Sequence, residues 1–138
     1  MIDLDSIEKK ATHLLAECDT IMLASVTETG YPRPVPIGKI KAEGISSIWI
    51  STGTFSDKTI QFQANPKAGV CFMKDGDSVI LTGKVEIVSD MEIKEALWSE
   101  WMFAHFPGGV TDPNYCILKF TSEEATYWID NEFVKASI

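Results

Sequence analysis

The sequence predicts a small, mainly β barrel of α+β character, antiparallel throughout and formed by one domain, residues 1–138. Three observations predict it. Short apolar or alternating runs recur along the chain, separated by hairpin-type turn signals. Helical patterns occur only at the start and at two insertions between strands. The chain, at 138 residues and 45% hydrophobic, is long enough to bury one core and too apolar for disorder.

The first element is a helix from Asp5 to Glu17, with Ile7, Ala11, Leu14 and Leu15 on one stripe. Asp5 is its expected N-cap and Glu8 completes a capping box. Ile21 to Val26 is apolar on both faces, as in a strand covered on both sides. Glu28-Thr29-Gly30 turns the chain, and a second turn at Glu43-Gly44 lies between strands Ile37 to Lys41 and Ser46 to Ile50. A short helix is expected from an N-cap at Ser56 to a stop at Asn65-Pro66. The clearest hairpin joins Ala68 to Met73 and Ser78 to Val88 through Asp75-Gly76-Asp77. In its second strand Val79, Leu81, Val85 and Ile87 share one face, with Gly83 among them, and Thr82, Lys84 and Glu86 share the other. A long helix is expected from Asp90 to Phe106, closed by Pro107-Gly108-Gly109. Tyr115 to Thr121 and Ala125 to Ile129 are the last expected strands, with Glu123-Glu124 a solvated turn between them.

Prolines at 32, 34 and 36 make Tyr31 to Pro36 unusual. Residues two apart in a strand direct their backbone groups to the same edge, so these prolines strip one edge of donors. Arg33, Val35 and Ile37 still pair on the other edge and share a face. The bare edge keeps its carbonyls, which can accept from a ligand; a proline-rich edge is equally a device against aggregation.

Charge narrows the functional classes. The chain carries 12 Lys plus Arg against 20 Asp plus Glu, and Arg33 is its sole arginine. An acidic protein of this kind is a poor candidate for nucleic acid. Any bound phosphate needs a concentrated local donor set. Ser51 to Lys58 supplies one: strand, hydroxyl-rich turn with a glycine, then a helix start carrying Ser56 and Lys58. Exposed N–H groups and the positive helix end favour an anion there. The same residues also suit any strand-to-helix turn. Neither a Gly-x-x-x-x-Gly-Lys loop nor a Gly-x-Gly-x-x-Gly fingerprint is present, which leaves a mononucleotide phosphate as the better fit.

Trp98, Trp101 and His105 fall at helical spacing, a stripe that suits core, a subunit contact, or a wall over a flat ligand; Trp128 is a similar case. His13 and His105 have no metal-ligand partner at useful spacing, so no metal site is expected. No nucleophile elbow for hydrolysis occurs. Cys18, Cys71 and Cys116 read as buried thiols of a reducing compartment. The acidic start lacks signal-peptide features and no apolar run reaches membrane-spanning length, so a cytoplasmic location away from membranes is expected.

Taken in order, the chain resembles the FMN-binding split barrel family typified by pyridoxamine 5′-phosphate oxidase, most closely its general stress protein 26 type. The resemblance lies in Ala24-Ser25-Val26, Gly30 to Pro36, Trp49-Ile50-Ser51-Thr52, Ser56-Asp57-Lys58 and Asn65-Pro66. It continues through Val79 to Gly83, Phe106 to Gly109, Asp112-Pro113 and Glu124 to Trp128. It implies a six-stranded split β-barrel with flanking helices that dimerises with itself around two FMN sites. By position, Arg33 and the backbone of Pro34, Val35 and Pro36 would lie along the flavin. Ser51 and Thr52 would contact the cofactor, and Ser56 with Lys58 would hold its phosphate. Trp98, Trp101, His105 and Trp128 are candidates for the substrate side; no catalytic side chain is assigned. The implied function is a flavin-dependent oxidoreductase acting on a small molecule, with an electron donor such as NAD(P)H and a stress-related role. The alternatives are a non-catalytic flavin carrier and a cofactor-free dimeric interaction module; FAD, haem or a deazaflavin are other ligands of this fold. Departures from the oxidase pattern are Asp57 in place of an arginine, Ser78 in place of a glutamine, and Gly38 in place of the substrate-phosphate lysine. These, with the missing arginine-containing C-terminal segment, argue against vitamin B6 oxidation.

Overall fold

Eight antiparallel strands form one curled sheet in the computed structural model, which describes residues 3–138. Helix α1 (Leu4–Glu17) precedes β1 (Thr20–Val26), β2 (Pro32–Gly38), β3 (Lys41–Glu43) and β4 (Ser47–Gly53). Helix α2 (Asp57–Ala64) leads to the hairpin β5 (Lys67–Lys74) and β6 (Asp77–Val88). Helix α3 (Met91–Ala96) and 3-10 turns at Glu100–Ala104 and Gly109–Thr111 precede β7 (Tyr115–Ile129) and β8 (Glu132–Ser137). The sheet order is β2-β1-β5-β6-β7-β4-β3, with β8 also paired to β7. This is the split-barrel α+β architecture expected, with the short β3 and the terminal β8 added to its main strands. No helix among the described residues is long and apolar enough to cross a membrane.

The main core lies on the concave face. Alternate residues of β1, β5 and β6, such as Leu23, Val70, Phe72, Val79 and Leu81, meet the apolar stripe of α1 there. Phe62 of α2 joins the same core. A second core covers the other face of β4 and the first half of β7, where Trp49, Met102, Phe106, Tyr115 and Ile117 pack together. Strand β4 is therefore buried on both faces at Ile48, Trp49 and Ile50, which explains its unbroken apolar run. The β5–β6 turn places Asp75 and Gly76 both at positive φ, +52° and +86°, the geometry a two-residue hairpin demands.

Several expected elements are corrected. The cap of α1 is Asp3, whose carboxylate accepts from the Asp5 and Ser6 amides at 3.0 and 3.3 Å. Starting earlier gains a main-chain bond from Ile7 N to Asp3 O, so Asp5 lies within the first turn. The expected helix Asp90 to Phe106 ends at Ala96. The Tyr115 hydroxyl donates to the Lys94 carbonyl at 2.8 Å, the acceptor that a continuing helix would offer to Trp98. Trp98 N bonds Glu95 O instead, Ser99 is extended, and a 3-10 turn follows.

The two expected last strands are one continuous strand, β7, and Glu123-Glu124 lies within it. Gly83 pairs with Ser122 and Thr82 with Glu124, so Glu123 is the extra residue of a bulge. The bulge puts two exposed residues side by side, a pattern that imitates a turn. Strand β8, absent from the expectation, pairs Glu132 to Ser137 with Ile129 to Glu124. Cys18 and Cys116 are buried as expected, whereas Cys71 is half-exposed on the convex face; all three are free thiols.

Candidate functional site

Two features meet where β4 gives way to α2: a cluster of charges at the helix start and a cleft beside it. Ser51 and Thr52, expected in a turn, are the last paired residues of β4 before Gly53, opposite Ile117 and Cys116 of β7. The chain then turns through Thr54 and Phe55 to Ser56, whose extended backbone makes it the N-cap of α2. The Ser56 hydroxyl lies 2.9 Å from the Thr59 hydroxyl and 3.4 Å from that of Thr52. Thr59, wholly buried, donates to the Gly53 carbonyl at 2.8 Å. Thr52, Ser56 and Thr59 thus form a hydroxyl chain that fixes the strand end against the helix start. Of the first N–H groups of α2, which have no acceptor within the helix, that of Thr59 donates to the Ser56 hydroxyl at 3.4 Å, and those of Asp57 and Lys58 have no intrahelical partner.

Arg33 reaches the same place from a distant element. It lies on β2 opposite the buried Ser25, whose hydroxyl donates to Gln61 of α2 at 2.5 Å. That bond binds β1 to α2 and brings β2 alongside. The Arg33 guanidinium stands 3.9 Å from the carboxylate of Asp57, the first residue of α2. Lys58, the next residue, is half-buried. Its pKa is pushed below the ordinary lysine value, first by burial and then by the positive charge of Arg33, with Asp57 offsetting part of the effect. Two cations are therefore held close together in a partly desolvated spot, an arrangement that an anion relieves.

Next to this cluster the barrel is split. Strand β2 ends the sheet at one side and pairs only with β1. Its prolines alternate with Arg33, Val35 and Ile37, which therefore supply the amides for the ladder to β1. The edge of β2 that faces β4 carries no proline N–H, so the two strands cannot zip together. A cleft of about 530 Å³ remains, lined by Pro36, Ile37 and Gly38 on one wall and by Ser51, Thr52 and Gly53 on the other. Trp101, His105, Phe106 and Asn114 complete it. Trp101 and His105 meet edge to face at 6.0 Å, both exposed at the rim. Among the described residues, no lysine, arginine, aspartate or glutamate lines this cleft, and His105 is the one titratable side chain there.

The structure thus brings Pro36, Ser51, Thr52, Trp101 and His105 to one cleft, and Arg33, Ser56 and Lys58 to the start of α2, which touches the cleft wall through the Thr52 and Ser56 hydroxyls. Pro34 and Val35 lie on β2 between those two groups. Trp98 is elsewhere: it packs 5.0 Å from both Phe103 and Tyr115 in the second core. Broken helical phase is the reason, since Trp98 precedes the 3-10 turn that carries Trp101. Trp128 lies on the far half of β7, between Ser78 and Phe133 on the convex face. Sequence reasoning missed Asn114 and Thr59. The Ser-x-x-Thr spacing of Ser56 and Thr59 was a readable signal; Asn114, on a loop, offered only its place after Asp112-Pro113. No group of three or more metal-ligating side chains occurs among the described residues.

The family model described as pyridoxamine 5'-phosphate oxidase like matches residues 6–137. The chain belongs to that family. A structure of similar shape is the Clostridium acetobutylicum protein related to general stress protein 26 of B. subtilis, of the pyridoxinephosphate oxidase family. It is 27% identical, with a TM-score of 0.87 over 99% of this chain and 97% of that one. A NimC/NimA family protein, also from Clostridium acetobutylicum, is 30% identical, with a TM-score of 0.72 over 94% and 93% of the two chains. A haem-binding protein from Mycobacterium smegmatis shares the fold at 12% identity, with a TM-score of 0.77 over 99% of this chain and 60% of that one. No curated protein matches the chain.

Proposed function

We propose that this protein binds flavin mononucleotide as a homodimer and uses it in a redox reaction on a small molecule. The observation that carries the reading is the gathering of Arg33 and Lys58 at the start of α2, beside a cleft bounded by a donor-free strand edge. Those residues fit the nucleotide chemically. Its phosphate needs cations and free N–H groups, which Arg33, Lys58 and the first turn of α2 offer. Its sugar-alcohol chain needs hydroxyl and amide partners, which Ser51, Thr52 and Asn114 offer. Its ring carries an N–H group that the bare carbonyls along Pro34 to Pro36 can accept. Family membership adds to this, because proteins of this family commonly hold flavin.

Bound flavin supplies hydride and electron transfer, so no acid, base or nucleophile of the chain is required. The chain's own residues bind the nucleotide, orient it along β2 and limit access through the rim formed by Trp101 and His105.

Dimerisation is supported by the convex face. Met22, Met73, Ile80, Trp128 and Phe133 are large, apolar and exposed there. Strand pairing makes them neighbours, from Met22 through Cys71 to Ile80, and from Met73 through Ser78 and Trp128 to Phe133. A continuous apolar patch of this kind marks an interface. The free thiols support a reducing, cytoplasmic setting, and the likeness to the general stress protein 26 relative supports a stress-related role.

The deciding experiment is the visible spectrum of purified protein mixed with flavin mononucleotide and freed of excess. Retained yellow chromophore, released as the mononucleotide on denaturation and bleached by NAD(P)H, is expected. Protein that stays colourless overturns the reading; retained flavin that no nicotinamide reduces leaves a carrier in place of an enzyme.

A further inference from the structure

We propose that Asp57 sets how strongly this site prefers a phosphorylated flavin, by competing with the phosphate for Arg33. The inference rests on the flavin reading above and deepens it.

Asp57 occupies the first position of α2, directly after the cap. That is where a helix favours negative charge and where an incoming phosphate would sit. Its carboxylate stands 3.9 Å from the Arg33 guanidinium, and the Asp57 side chain is largely exposed. A pair that long and that open to water contributes little to folding. Its effect falls instead on whatever anion approaches the same guanidinium. Lys58 feels both groups, the cation pushing its pKa down and the acid pushing it up, so all three charges act within one local field.

Counting charges gives the consequence. Two cations and one acid leave a single net positive charge at the helix start. A phosphate monoester at neutral pH carries close to two negative charges. Arg33 must therefore be shared or Asp57 must swing away. Either event costs binding free energy that the unphosphorylated flavin, having no anionic tail, never incurs. The mismatch sits at the phosphate end alone, because no charged side chain lines the cleft where the rest of the molecule would lie. Asp57 is thus a specificity-determining residue that narrows the gap between the mononucleotide and riboflavin.

The test compares wild-type protein with Asp57→Asn, which preserves shape and removes the charge. Affinities for flavin mononucleotide and for riboflavin are measured by quenching of flavin fluorescence, with thermal melts confirming equal folding. We expect the mononucleotide to bind about three- to tenfold more tightly to Asp57→Asn at low salt, the range an exposed charge a few ångströms away commands in water. Riboflavin affinity stays unchanged, and the gain shrinks as salt is added. An unchanged ratio of the two affinities overturns the inference while leaving the flavin reading intact. Should neither flavin bind either protein, the flavin reading falls and inorganic phosphate, followed by calorimetry, becomes the probe. Phosphate must then bind Asp57→Asn more tightly, and equal affinity overturns the inference.

Discussion

Gly83 and Thr121 approach so closely that no side chain fits between them: a Cβ on Gly83 would lie 1.9 Å from the Thr121 carbonyl oxygen. The contact coincides with the bulge between β6 and β7, where the sheet bends to form the barrel. The oxygen is backbone and the Cβ is fixed directly to backbone, both inside a ladder, so neither can yield cheaply.

Gly83→Ala therefore forces β6 and β7 apart. The expected loss is about 1–3 kcal/mol or somewhat more, the cost of overpacking a filled interior. Urea denaturation of the two proteins checks it. Equal midpoints would mean that the strands separate without cost and that the bulge is not a fixed feature.

The same bulge shows what the sequence could and could not reveal. Alternation along Ser78 to Val88 was legible because one face meets the core and the other meets water. Ser122-Glu123-Glu124 was not, since two consecutive exposed acids look alike in a turn and in a bulge. The helix expected through Trp98 failed for a tertiary reason. Tyr115, far along the chain, takes the Lys94 carbonyl, and local periodicity holds no trace of that. At the start of α2, the Ser56 cap was readable because capping is local chemistry. The proline edge was readable because it follows from backbone donors alone. That Arg33 would stand beside Asp57 depends on how β1 docks on α2, which only folding reveals.

Charge placed on the convex face should prevent self-association. Ile80 is 46% exposed at the middle of that face, between Cys71 and Thr126 on the neighbouring strands. A lysine there leaves the core untouched but would bury its ammonium in a dimer. Ile80→Lys is expected to weaken the proposed dimer at least about tenfold, or about 1.4 kcal/mol, as read by light scattering across a dilution series. A wild-type mass at every concentration would show that another surface carries the contact.

Asp112 gives the loop bearing Asn114 a pH dependence. Its carboxylate accepts from the Asn114 and Gly108 amides, each at 2.9 Å, and these bonds hold its pKa below the ordinary value. A carboxyl depressed on folding stabilises fully above its unfolded pKa, about 4 for aspartate, and loses that contribution as pH falls through the folded value. The Gly108 and Asn114 amide shifts should therefore stay constant from neutral pH to about 4 and change only below it. Movement at higher pH would mean that the two bonds do not persist in solution.

Lys58 carries the heaviest demand in the proposed site. Its ammonium is half-buried, and both that burial and the nearby Arg33 disfavour its charge, so it gains more than an exposed lysine from an arriving anion. Lys58→Ala removes the donor while leaving Ser56, Thr59 and the α2 cap in place. Folding stability should hold or rise slightly, because an unfavourable cation pair is relieved. Flavin mononucleotide should bind about 1.5–3 kcal/mol more weakly, the range for a hydrogen bond to a charged group. Riboflavin, with no phosphate to grip, should bind both proteins alike. Fluorescence titration of the two ligands reads the difference directly. Equal weakening for both would place Lys58 beside the ring, and no weakening for either would remove it from the site.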